Sequence, residues 1–177
     1  VFALCIAELV LVMVLSARLG KMSIAGARGL FFAYAILNGV TFSAVFFAYD
    51  VQILLSVFAL TALYFGALAA YGWLTKRDLS GLGTILGFSV LFLLVFWVLS
   101  MFLPLGAFER IICFIGLAVF MGCTAYDTQR IKHLHAEYGE DYEMSKKASI
   151  FAALQLYLDF INIFLYILRL LGRRSSN

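Results

Sequence analysis

Six long apolar runs, separated by short segments of charged and turn residues, divide the chain along its length. They cover Val1 to Ser16, Leu30 to Tyr49, Val51 to Leu74, Leu82 to Leu103, Ile111 to Tyr126 and Ala148 to Leu171. A helix needs about 20 mostly apolar residues to cross a bilayer, and these runs are of that order. The pattern therefore predicts an all-α, polytopic transmembrane bundle of six spans, forming a single domain over residues 1–177.

Lys and Arg in the connecting segments set the expected orientation, because short cytoplasmic loops retain positive charge. The segments after the first, third and fifth runs are basic, so they share one side, which the rule assigns to the cytoplasm. The last of these is predicted as a cytoplasmic loop over residues 128–147. With six spans, Arg173 and Arg174 of the tail fall on the opposite side, against the rule, unless one of the last runs is re-entrant.

Composition excludes several classes of protein. Hydrophobic residues make up 64% of the chain and charged residues 13%, with a mean hydropathy of +1.02, against roughly 45–50% and about 25% in a soluble domain. The low charge also excludes a disordered chain and a nucleic-acid binder with a dense basic patch. No enzyme motif is visible, and the three cysteines form no CxxC pair. We expect neither enzymatic activity nor a bound cofactor.

Asp159 lies near the middle of the last run, where a charged side chain costs at least roughly 2.5–3.5 kcal/mol on insertion scales. Gln155, Asn162 and Tyr166 stand at helical spacing from it, so four polar side chains share one helix face. That face must turn toward protein or water rather than lipid, which predicts a last helix that is central or pore-lining. The alternative is a structural stripe that hydrogen bonds between helices.

Two further acidic residues lie at or inside apolar runs. Asp127 ends the fifth run, where either an interfacial ion pair with Arg130 or Lys132 or a functional role fits its position. Glu8, in the middle of the first run, is a functional candidate for the same reason as Asp159, because a charged side chain inside the bilayer costs free energy. If Asp127 and Asp159 meet between neighbouring helices, the two carboxyl groups cannot both ionise in a low dielectric and share a proton. Such a pair is a pH switch, and without its proton it offers hard oxygen ligands that suit Ca²⁺.

Small residues four positions apart are typical of close helix packing in membranes. Gly83 with Gly87, and Gly66 with Ala70, have this spacing. The spacing predicts helix contacts at these positions rather than binding sites.

Two segments of the second half carry a specific pattern: residues 125–132 read AYDTQRIK and residues 154–165 read LQLYLDFINIFL. Together with LNGVT at residues 37–41 and TKRDLS at residues 75–80, they make the chain resemble the transmembrane Bax inhibitor motif family, and its bacterial inner-membrane members in particular. The resemblance implies a multi-pass protein of the inner (plasma) membrane with seven helices, the last of them central. We therefore expect this chain to lack the family's first helix.

The same resemblance implies a pH-sensitive Ca²⁺ leak in which Asp127 and Asp159 form a hydrogen-bonded pair. It implies that Glu8 belongs to the helix that gates the pore, and that a cation on the cytoplasmic side latches the aspartate pair. Arg18 fits this latch best by spacing and Lys21 is the alternative, although Lys cannot make the bidentate carboxylate contact of Arg. The expected partners are the lipid bilayer, Ca²⁺ and protons.

Two other functions fit the same residues. The chain could be an interaction protein that modulates a membrane partner such as a membrane-bound protease, with the polar stripe purely structural. A proton-coupled transporter of small molecules would also use intramembrane carboxylates, but no internal repeat with paired broken helices is visible. Ion flux in pure lipid vesicles separates a leak from a modulator, because a modulator needs its partner.

Overall fold

A computed structural model of the protein describes residues 10–14, 18, 21–100 and 102–171. Five long helices account for most of these residues: α1 (Ile24–Ala48), α2 (Val51–Leu74), α3 (Leu82–Ser100), α4 (Glu109–Tyr138) and α5 (Tyr142–Leu171), with a short 3₁₀ helix at Gly106–Phe108. Residues 10–14 are also helical. The remainder of the predicted first span, including Glu8, lies outside the described residues.

All five helices are long and apolar enough to cross a membrane. Their side chains are apolar where they are exposed: α3 buries only Leu93, while Ile85, Phe88 and Leu91 point outward. A surface this apolar is unfavourable in water and suits contact with lipid tails. The predicted all-α, multi-pass bundle is therefore confirmed, with five of the six predicted spans inside the described part of the chain.

Two helices begin or end at other residues than their apolar runs do, because local sequence sets the helix boundary. α1 begins at Ile24, six residues before the run at Leu30, because the Ser23 hydroxyl oxygen accepts a hydrogen bond from the Gly26 N–H at 3.1 Å. α3 ends at Ser100, before the end of its run. Pro104 follows closely, and proline disfavours helical conformation at the residue before it.

The segment predicted as a loop over residues 128–147 is mostly helical. α4 continues to Tyr138 and α5 begins at Tyr142, so three residues connect them. Residues 128–138 are polar but contain neither Gly nor Pro, and loss of apolar character ends a membrane span without ending a helix. Gly139 follows the end of α4, and Asp141 caps α5 by accepting hydrogen bonds from the N–H groups of residues 143 and 144, both at 3.0 Å.

The described residues contact one another in two compact units, whereas the sequence predicts a single domain over residues 1–177. The first unit contains α1 and residues 131–155; the second contains residues 52–130 and 156–171. In the first unit, α1 buries Ala27, Tyr34 and Asn38, and the Asn38 amide donates to the Tyr34 hydroxyl at 3.2 Å. Lys147 is buried there as well, paired with Glu143 one turn earlier at 2.8 Å.

In the second unit, α5 contacts each of the other three helices. Its Phe160 packs edge to face against Phe58 of α2, with ring centroids 5.5 Å apart. Its Tyr166 ring lies against Gly116 of α4, and the Tyr166 hydroxyl accepts a hydrogen bond at 3.2 Å from the indole N–H of Trp97 on α3. Within this unit the last helix is central.

Candidate functional site: a buried carboxyl pair

Asp127 of α4 and Asp159 of α5 lie together inside the second unit, 8% and 4% exposed. Their carboxyl groups lie within hydrogen-bonding range of each other. A carboxylate has no donor, so two carboxyl groups can form a hydrogen bond only when one of them carries a proton. The structure thus brings together the two aspartates that the sequence singles out.

The surroundings of the pair are unevenly polar. The Thr124 hydroxyl, fully buried one turn before Asp127, lies within hydrogen-bonding range of the Asp159 carboxyl and has the Phe120 carbonyl as a second acceptor at 2.9 Å. Arg130 lies close enough to Asp127 for its charge to act on that carboxyl group. Among the described residues, Asp159 Oδ2 is buried and has no hydrogen-bond partner. One oxygen of the pair is therefore left open to a proton or a cation.

Close helix packing holds α4 in position beside the pair. A Cβ atom on Gly72 of α2 would overlap the backbone of Ala125, two residues before Asp127, and Gly83 of α3 lies against the ring of Tyr126. By contrast, Gly66 and Gly87 have no atom of the described chain near the position of a Cβ. Of the three glycines predicted from spacing to make helix contacts, Gly83 alone meets another helix in the described part of the chain, because spacing along one helix does not reveal which face meets a neighbour.

The Gln129 side chain hydrogen bonds α4 to the segment between α2 and α3. Gln129 is 6% exposed. Its amide oxygen accepts a hydrogen bond from the Leu79 N–H at 2.8 Å, and its amide N–H donates to the Arg77 carbonyl at 2.7 Å. One side chain thus satisfies a donor and an acceptor of a backbone segment that belongs to no helix. This role has no signal in the sequence near Gln129, because its partners are about fifty positions away.

We expect Gln129→Leu to loosen residues 75–81. Leucine offers neither an acceptor to Leu79 nor a donor to Arg77, and a hydrogen bond is worth about 0.5–1.5 kcal/mol net. Hydrogen exchange at the Leu79 amide should therefore quicken roughly 2- to 10-fold. Gln129→Glu is the matched control, because it keeps the acceptor and should leave Leu79 protected. Equal exchange in all three proteins would mean that these two bonds do not hold the segment.

The other residues of the predicted stripe lie along α5 in different settings. Tyr166 is buried and accepts the hydrogen bond from Trp97. Asn162 is partly buried and donates to the Leu158 carbonyl of its own helix at 2.8 Å. Gln155 is half-buried and belongs to the first unit. The pore-lining role of this stripe stays a prediction.

The predicted gate and latch residues are Glu8 and Arg18, with Lys21 as the alternative latch. Glu8 lies outside the described residues. Arg18 is helical and exposed and belongs to the first unit, as does Lys21, whereas both aspartates belong to the second. Within the described ranges no group of three or more His, Cys, Asp and Glu side chains gathers as a metal site.

A helical bundle of membrane-crossing segments with two aspartates buried together in its second unit defines a class of polytopic membrane proteins. The family described as "Inhibitor of apoptosis-promoting Bax1" matches residues 1–176. The chain therefore belongs to the Bax inhibitor-1-like family, as the sequence motifs predict.

Bacterial relatives match most of the chain. The inner membrane protein YbhL of Escherichia coli K12 is 42% identical over 172 residues, which are 97% of this chain and 74% of the relative. An uncharacterized protein of Deinococcus radiodurans is 44% identical with the same coverage. An uncharacterized membrane protein of Streptococcus pyogenes is 34% identical over 174 residues, 98% of this chain and 75% of the relative.

Proposed function

We propose that the protein is a pH-sensitive, Ca²⁺-permeable leak of the inner membrane, controlled by the proton that Asp127 and Asp159 share. One observation carries the proposal: two buried carboxyl groups from different membrane-crossing helices lie within hydrogen-bonding range of each other. Burying an acid pair in a bundle is costly and contributes little that an apolar contact would not. A function that uses the shared proton accounts for its presence.

The pair has two charge states with different contacts. With the proton, the hydrogen bond holds α4 and α5 together at this depth. Without it, two negative charges face each other in a low dielectric, where they repel strongly. The helices then move apart or a cation enters between them, so protonation biases an equilibrium between two arrangements of the bundle.

The groups around the pair suit this exchange. The open Oδ2 atom of Asp159 is an acceptor without a donor, and carboxylate oxygens are the ligands that Ca²⁺ prefers. Arg130, whose charge acts on Asp127, is positioned to stabilise the deprotonated state. Ca²⁺ is here the transported ion, and a leak of this kind needs neither a catalytic residue nor a cofactor.

Ca²⁺ entry into vesicles tests the proposal directly. We expect purified protein in vesicles of pure lipid, loaded with a Ca²⁺-sensitive dye, to admit Ca²⁺ at a rate that changes between pH 6 and pH 8. Protein-free vesicles measured in parallel give the background leak of the lipid. Absence of flux above this background at every pH would contradict the proposal and favour the alternative, a modulator of a membrane partner such as a membrane-bound protease.

A further inference from the structure

A second charged group of the bundle lies at the end of the second unit away from the aspartate pair. Arg169 of α5 places its guanidinium over the ring of Trp97 of α3, 4.0 Å from the ring centroid. It also lies within hydrogen-bonding range of the side chain of Cys113 on α4, which is 1% exposed. All three residues lie within four positions of a helix end. The cluster therefore sits where spanning helices leave the hydrocarbon.

The Arg169 guanidinium is held in place by Trp97 and still has hydrogen-bond donors available for a ligand. The Trp97 ring covers one face of the plane, and the guanidinium carries five N–H donors along its edge, more than the Cys113 thiol can accept. Arg169 is exposed, and in the described part of the chain no carboxylate forms an ion pair with it. Trp97 is itself fixed by its hydrogen bond to Tyr166. The donors are thus presented in a fixed direction at the bilayer boundary.

We propose that Arg169 binds the phosphate group of a phospholipid at this end of the protein. A phosphodiester is the abundant acceptor at that depth, and the planar fork of Arg matches two of its oxygens. Tryptophan at the membrane interface is the usual neighbour of such headgroups. This inference concerns a binding site separate from the aspartate pair and does not rest on the proposed leak.

Nearby charges favour an anionic ligand. Arg110 is exposed at the start of α4, where Glu109 precedes it, and Arg173 and Arg174 follow Arg169 closely in sequence. The two arginines of the tail are the ones that conflict with the positive-inside rule in a six-span topology. Lipid phosphates bound at this end would stabilise positive charge on the side where the rule does not expect it.

Native mass spectrometry of protein purified in dodecyl maltoside tests the site. Phosphatidylglycerol and phosphatidylcholine share the phosphate, whereas a neutral glycolipid lacks it, so we expect the first two to be retained and the third to be lost. Arg169→Gln should weaken phospholipid retention about tenfold or more, since it removes a charge-assisted bidentate contact. Arg169→Lys should fall between, and Arg77→Gln, which changes an exposed arginine between α2 and α3 outside this cluster, should stay near wild type.

The fluorescence emission of Trp97 gives a second measurement that is independent of mass spectrometry. The chain has two tryptophans, so a Trp73→Phe background isolates Trp97, and phospholipid should shift its emission when Arg169 is present. Three outcomes would overturn the proposal: equal retention of the glycolipid, unchanged retention and emission in Arg169→Gln, or a response to millimolar inorganic phosphate that matches the response to phospholipid. The last would identify a site for small anions instead.

Discussion

Replacing Asp159 with Asn is expected to abolish the pH dependence of Ca²⁺ entry between pH 6 and pH 8. The asparagine side chain has the shape of the carboxyl group and donates a hydrogen bond from its amide, so it reproduces the protonated member of the pair. It cannot lose that proton to become an anion. The equilibrium between the two arrangements of the bundle should then no longer respond to pH, and Asp127→Asn should have the same effect for the same reason.

The measurement is the dye-loaded vesicle assay, repeated at each pH with wild type and both variants at equal protein content. Asp50→Asn is a suitable control, because this carboxylate is exposed between α1 and α2, away from the bundle interior. It should leave the profile unchanged. A wild-type profile in either Asn variant, with normal folding by circular dichroism, would show that the proton on the pair does not control the flux.

The second large effect expected is on stability, from Gly72→Ala. An added Cβ at this position overlaps the backbone carbonyl of Ala125, and backbone cannot rotate away as a long side chain can. Overpacking of this kind costs about 1–3 kcal/mol. Because Ala125 lies two residues before Asp127, the displacement should also alter the contact between the two aspartates.

Gly66→Ala on the same helix is the matched control. No atom of the described chain lies near its Cβ position, and alanine is favoured over glycine in a helix by up to about 1 kcal/mol. We expect thermal unfolding in detergent, followed by circular dichroism, to give a lower midpoint for Gly72→Ala and an equal or higher one for Gly66→Ala. Equal midpoints for the two variants would mean that α2 and α4 are not in tight contact at Gly72.

The sequence predicts those features of the fold and the site that depend on the polarity and the length of its segments. The apolar runs locate α1 to α5, and the cost of burying an acid is enough to single out Asp127 and Asp159. The structure places the two together because α4 and α5 are neighbours joined by three residues. Local sequence is sufficient in this case, since each aspartate stands out against an apolar background.

The features that the sequence does not reveal are mainly contacts between segments that lie far apart in the chain. The bonds of Gln129 to residues 77 and 79 leave no local signature, because a glutamine after a membrane span is equally consistent with an exposed position. The close contact at Gly72 does not follow from a pair of small residues four apart, as Gly72 meets Ala125 of another helix. Residues 128–138 are helical, whereas the sequence predicts a loop. Hydropathy indicates where a membrane span ends, but the end of a helix is set by its capping residues.

The turn between α4 and α5 stands at the end of two helices that are each longer than the bilayer is thick. Thirty residues extend about 45 Å, against roughly 30 Å of hydrocarbon. The polar residues of both helices adjoin the turn, so we expect the excess length to lie on that side and to carry Gly139, Glu140 and Asp141 out of the hydrocarbon. A short epitope inserted there would be reached by an antibody from one side of the membrane alone, and so would report the sidedness of the whole chain without disturbing the packed bundle.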